Sequence, residues 1–249
     1  MKIGLLVIAS NRYKLFFDDL YKSVEKYFLP NHEKTFFYFN DSQKDLTKEY
    51  KNLVDIKVKH QPWPGMTLYR YKFFNKARKQ IFESGVDYIY YLDVDMRIVN
   101  LVDEKIIPQG NKVLTAVFHP GYWNDRKKQK PHETNPKSSF YVKPKKRVVY
   151  IAGGFQGGKT KEYLNATLEI SKKIDSDKKK HNIIPIWHDE SAFNHYLTKN
   201  VKKFTVVNPE YCFPECSNPA KFANCFGTCG KLTPRILALE KDHAFYRTE

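Results

Sequence analysis

No stretch of this 249-residue chain approaches the roughly 20 consecutive apolar residues that a membrane-spanning helix requires. The apolar run from Met1 to Ala9 is too short for the core of a signal peptide, and polar Ser10-Asn-Arg-Tyr-Lys14 follows it directly. It reads as a buried first strand, and the expectation is a soluble, cytoplasmic protein. Internal repeats are absent. Cysteine is scarce: Cys212, Cys216, Cys225 and Cys229 are the only four, in a C-x3-C-x8-C-x3-C cluster. Without a secretion signal, disulfides are less expected, and clustered thiols suggest a structural Zn2+. The spacing matches no standard zinc finger or ribbon, so zinc, free thiols and two disulfides all stay open.

Acidic residues are also in short supply, 27 against 43 Lys and Arg, for a formal charge of +16. Such a balance attracts polyanions: nucleic acid, anionic membrane or a phosphorylated small molecule. Much of it lies in the runs Arg126-Lys-Lys-Gln-Lys130, Lys143 to Arg147 and Lys178-Lys-Lys180. These read first as solvated surface, so charge alone does not choose the partner. Hydrophobic residues at 41% and aromatics at 15% exclude a disordered chain. The length suits one domain with two lobes, divided near residue 100.

What the chain does have is alternation. Apolar strands are expected at Lys2–Ala9, Thr35–Phe39, Leu53–Val58 and Tyr88–Leu92, with helices over Tyr13–Phe28 and Thr67–Ser84. That order predicts a doubly wound α/β sheet, whose ligands gather beyond the carboxyl ends of its strands. Further on, Lys112–Phe118 and Val148–Ile151 read as strands around a Lys- and Pro-rich loop, 125–147. Thr160–Asp175 and Glu190–Thr198 read as helices.

Three motifs carry chemistry. Asp93-Val94-Asp95 stands just past a strand, and period two puts both carboxylates on one side of an extended chain. Two acids that close repel unless a cation lies between them. Mg2+ or Mn2+ shared with substrate phosphates meets that need. Gly153-Gly-Phe-Gln-Gly-Gly-Lys-Thr160 satisfies the P-loop pattern literally, but the expected strand before it is short, and a tight turn is the plainer reading. Trp187-His-Asp-Glu-Ser191 puts a ring and two acids at a helix start. They are either dipole-complementing residues or a nucleophile or base beside a sugar-stacking ring.

Taken in order, Ala9-Ser-Asn-Arg-Tyr13, Val86-Asp-Tyr88, Leu92-Asp-Val-Asp-Met96, His119-Pro-Gly-Tyr122, Glu133 to Tyr141, Gly153 to Gly158 and Trp187 to Ser191 resemble glycosyltransferase family six. That family contains the histo-blood-group A and B transferases and the α1,3-galactosyltransferases. The resemblance implies a GT-A type fold, a Rossmann-like mixed sheet flanked by helices. It also implies retaining α1,3-transfer of N-acetylgalactosamine or galactose from a UDP-sugar to a galactoside, plain or fucosylated.

By the same resemblance, Asp93 and Asp95 hold Mn2+ (or Mg2+) and Glu190 is the catalytic carboxylate. Ile8, Ala9, Tyr13, Arg70, Val94 and Asp189 meet the donor. Lys241 and Arg247, in a lid over 239–249, meet the pyrophosphate. Gly121, Ala152 and Gly154 tune the donor sugar, their small size leaning toward N-acetylgalactosamine, and His119 and Trp187 serve the acceptor. The competing readings are a basic nucleic-acid-binding protein, a P-loop nucleotidase and an inactive sugar-binding module of the same fold.

Overall fold

The computed structural model describes residues 1–124, 127–216 and 232–247. Its centre is a seven-stranded mixed sheet. Strand β1 (Lys2–Ala9) is buried on both faces from Ile3 onward, as its unbroken apolar run requires. β2 (Glu33–Asn40) and β4 (Tyr88–Asp93) flank it in parallel, and β3 (Leu53–Lys57) extends that half. On the other side of β4 come β7 (Ile151–Lys159), β6 (Leu114–Phe118) and β8 (Phe204–Val207), giving the order β3-β2-β1-β4-β7-β6-β8. β7 is antiparallel to both neighbours. A smaller sheet pairs β5 (Met96–Ile98) with β10 (Ile236–Ala238) and β9 (Phe213–Pro214).

Period-two alternation in β1 divides the core. Leu6 and Ile8 face one apolar cluster with Tyr71, Phe74, Tyr163, Leu164 and Phe193. Those residues come from α3 (Arg70–Lys76), α5 (Thr160–His181) and α6 (His188–Asn200). Leu5, Val7 and Ala9 face a second cluster under α1 (Phe17–Tyr27). α1 contributes Phe17, Leu20 and Val24 to it, three positions on one helical stripe. Among the described residues, no helix is long and apolar enough to cross a membrane.

Several expected elements differ in outline. The helix expected over Thr67–Ser84 is three short pieces, α2 (Gly65–Leu68), α3 and α4 (Arg78–Glu83). The chain leaves helical dihedrals at Tyr69 and Ala77, which sets Arg70 at the start of a fresh turn. The first helix begins as a 3-10 turn, Asn11–Phe16, before α1. The larger correction concerns the glycines: Gly153 to Gly158 lie inside the interior strand β7, with the backbone of Gly157 and Gly158 laddered to β4 and β6. β7 then runs straight into α5, so no loop exists there to wrap a phosphate, and Lys159 and Thr160 lie beside Tyr88 and Asp87 at the far end of β4. The P-loop reading falls on that geometry. Glycine is demanded here by crowding: a Cβ on Gly157 would sit 2.2 Å from the carbonyl oxygen of Ile89 and 2.8 Å from Cα of Tyr90.

Because backbone cannot yield as a side-chain tip can, Gly157→Ala is expected to destabilise the fold by about 3 kcal/mol. Urea unfolding should show a lower midpoint at unchanged slope; an unshifted midpoint would contradict this packing.

Candidate functional site

The carboxyl ends of β1 and β4 and the start of antiparallel β7 open on the same edge of the sheet. The expected acids meet there. Arg70, only 5% exposed, is the hub: its guanidinium lies 3.3 Å from Asp93 Oδ1 and 3.3 Å from Asp189 Oδ2, and it donates to the carbonyl of Gly153 at 3.1 Å. The Tyr91 ring covers it at 4.3 Å. Burial works against the guanidinium's charge, but Asp189, Tyr91 and Asp93 outweigh it and its pKa is raised. Asp93 also accepts from the Tyr91 hydroxyl.

Glycine 153 is the second joint. Its carbonyl accepts from Arg70 and, at 2.9 Å, from the side-chain amide of Gln156, while its N–H donates to Glu190 Oε2 at 2.9 Å. A Cβ there would meet Asp189 Oδ2 at 3.0 Å, so the bare backbone lets α6 bring its acids close. Asn194, fully buried, locks helix to strand by bonding both the N–H and the carbonyl of Ile151 and the carbonyl of Glu190.

The two acids of α6 are electrostatically unusual. Burial raises Asp189 to about 6; Arg70 pulls it down and Asp93 pushes it up. Its Oδ2 is ion-paired yet accepts no hydrogen bond. Glu190 is partly exposed as a residue, but its carboxyl is enclosed by protein, and that burial raises it to about 7. The Tyr150 phenol beside it offsets part of the rise without a well-formed hydrogen bond; Asp189 adds to it, and the Gly153 N–H lowers it.

Next to these acids lies a cleft of about 270 Å³. Ile8, Tyr13, Arg70, Asp93, Val94, Asp95, Lys241 and Arg247 line it, eight of the residues expected there. Lys241 pairs with Asp95, and burial lowers its pKa despite the pull of Asp93. The tail is docked: Tyr246 packs on Tyr13 and Phe16, Arg12 bonds the carbonyl of Phe245, and Arg247 sits 3.8 Å over the Trp63 ring. Asp93 and Asp95 are hard oxygen donors on one cleft wall. Among the described residues no three His, Cys, Asp or Glu side chains converge as a metal site. A cation at this pair would need ligand oxygens to complete its shell, as Mg2+ and Mn2+ take from nucleotide phosphates.

Other expected residues sit apart from the cleft. Ala9 and Ala152 turn into the second core cluster. At Gly154 a Cβ would meet Met96 Cε at 2.4 Å and Asp93 Oδ2 at 2.9 Å, so a larger residue there would have to displace two side-chain tips, one of them on the cleft wall. His119 accepts from the Gly121 N–H at 3.0 Å, and burial lowers it to about 4, leaving a neutral ring with its proton on Nε2. It packs on Tyr150. Trp187, 49% exposed, caps α6. Cys212 is buried and Cys216 partly so, both as free thiols; Cys225 and Cys229 lie outside the described residues.

Sequence reasoning missed Ser10, His60, Gln61, Trp63, Tyr91, His243 and Tyr246 in the cleft wall, and Tyr150 beside Glu190. Trp63 belongs to His60-Gln-Pro-Trp-Pro-Gly65, a turn-rich loop just past β3. A loop at a strand's carboxyl end in this fold class was the available signal.

Three relatives were compared. A rat histo-blood group ABO system transferase 1 is 29% identical over 221 residues, 86% of this chain and 61% of the relative. The Escherichia coli O-antigen biosynthesis glycosyltransferase WbnI is 30% identical over 215 residues, 86% of this chain and 89% of the relative. A chicken globoside alpha-1,3-N-acetylgalactosaminyltransferase 1 is 28% identical over 222 residues, 86% and 62% of the two chains. The chain thus spans about three fifths of the two animal proteins. Residues 1–224 match the family model described as Glycosyltransferase family 6, and with that match over a mixed α/β sheet the chain belongs to glycosyltransferase family 6.

Proposed function

We propose that this glycosyltransferase moves N-acetylgalactosamine or galactose from a UDP-sugar to a galactoside by α1,3-transfer with retention, using a divalent cation at Asp93 and Asp95. The observation that carries the reading is Arg70, which gathers Asp93, Asp189 and the Gly153 peptide that seats Glu190, beside a cleft lined by Lys241 and Arg247.

A cation bound there would neutralise charge on the departing diphosphate. Lys241 and Arg247 supply fixed positive charge to the same group, and the docked tail keeps water out. Asp189, with an acceptor oxygen lacking a hydrogen bond, orients the donor sugar's hydroxyls. Glu190 faces the anomeric carbon, where it either attacks or stabilises positive charge. Both roles need its carboxylate ionised. Trp187 offers an exposed ring to the acceptor, and His119 a neutral donor. The neutral His119 and the charge-paired acids suit small polar sugars, whereas binding of nucleic acid would leave the acid cluster without a role.

UDP release from UDP-N-acetylgalactosamine or UDP-galactose, screened with plain and fucosylated galactosides, should need Mn2+ and be lost in Asp95→Asn; undiminished turnover after exhaustive chelation would refute the metal role. Glu190→Gln should lower kcat by about 10³-fold or more. The wild-type rate should rise with pH through about 7 as Glu190 ionises. Because its pKa is raised on folding, charge on Glu190 costs stability above the unfolded carboxylate's pKa. Glu190→Gln should therefore melt higher than wild type at neutral pH and equally in acid. Truncation after Leu239 should cost orders of magnitude in turnover, and near-normal rates in that variant would exclude a lid.

A further inference from the structure

Two of the basic runs remain without a role in the cleft, and the fold brings them together. The segment 133–149 is pinned to the end of α5, where buried Asp177 accepts from Ser138 Oγ at 3.0 Å and from the Ser139 N–H at 2.8 Å. It is pinned again to the stretch before α6, where buried Glu133 accepts from the Ile186 N–H at 2.8 Å. Lys143, Lys145 and Lys146 on one side and Lys178 to Lys180 on the other are all exposed. The nearby acids Glu133 and Asp177 are buried and spent on backbone and hydroxyl donors, and 137–148 and 178–187 contain no acid. The patch is uncompensated positive charge.

It is also apolar. Val148 is 71% exposed, Ile186 53% and Ile184 40%, and Trp187 adjoins them. Polynucleotide phosphates gain nothing from bare Ile and Val side chains, since single-strand binders use rings instead. Aliphatic residues and a tryptophan ringed by lysines are what an interfacial membrane contact uses. The apolar tips enter the headgroup boundary while lysines meet anionic headgroups.

We propose that this face, from Lys143–Val148 across to Lys178–Trp187, docks the enzyme peripherally on an anionic lipid surface, with the start of α6 next to the bilayer. The contact needs no spanning segment. It is independent of the donor and metal assignments, because none of its lysines or isoleucines belongs to the cleft.

The test is co-sedimentation of the full chain with phosphatidylcholine vesicles, with and without phosphatidylglycerol. Binding is expected to the anionic vesicles alone and to weaken with salt. Lys145→Glu/Lys146→Glu should lower it about tenfold or more, and Ile184→Ser/Ile186→Ser should also lower it. Lys48→Glu/Lys51→Glu, an equal charge change beside β3 at the opposite sheet edge, should leave most binding intact. Both patch variants should keep wild-type melting temperatures and UDP release with a water-soluble galactoside. That readout separates failure of the docking face from failure of the transferase reading. The proposal is overturned if the anionic vesicles are not bound, if the Lys48/Lys51 pair matters as much as Lys145/Lys146, or if the patch binds duplex DNA and not vesicles.

Discussion

A single buried cation organises this molecule. Arg70 sits where β4, β7 and α6 converge, and its guanidinium holds one carboxylate from each of β4 and α6 and a carbonyl from β7. Three negative or partly negative groups packed that close are untenable without it. The reverse also holds: an arginine this deep, stripped of one partner, costs about 3–5 kcal/mol. The acids and the arginine are thus conditions for one another. The elevated pKa values of Asp189 and Glu190 come first from burial, which the one positive charge beside them offsets only in part.

How far the sequence discloses this depends on the kind of interaction. β1 and β4 were legible because a strand buried on both faces must be apolar throughout, and Lys2–Ala9 and Tyr88–Asp93 follow the expected spans closely. Asp93 was legible because it ends such a strand; Asp95 lies in the turn to β5, not on an extended chain, and reaches the same cleft from there. Arg70 came only by resemblance, since nothing in Leu68-Tyr-Arg-Tyr71 says that a basic residue in a helix-like stretch is buried. The glycines misled for a physical reason. Local sequence shows glycine's freedom to turn, whereas here its use is to let strands and acids approach, a demand made by Ile89, Tyr90 and Asp189 from far along the chain. Tyr150 and Trp63 escaped notice because an aromatic near an active site looks, in sequence, like any core ring.

The tail and the first turn show a second economy. Tyr13 borders the cleft and also receives Tyr246, so one ring serves the cleft wall and the packing of the tail at once. Trp63 does the same, taking Arg247 on its face and His188 against its edge. The tail is therefore gripped by residues that also border the cleft, and it brings Lys241 and Arg247 to the same wall.

The antiparallel insertion of β7 has a consequence for how the chain comes to be folded. Nearly every link in the cleft joins distant parts of the sequence: Arg70 to Gly153, Tyr71 to Asp189, Asp95 to Lys241. Parallel pairs such as β1 with β2 can form early from neighbouring segments. β7 is paired on both sides, by β4 and by β6, and α6 is tied to β7 through Asn194. Loop-closure entropy must be met before any of these contacts repays it. The acid cluster therefore needs α3, β4, β7 and α6 together, and its charges are solvated and ordinary in any chain where those four have not met.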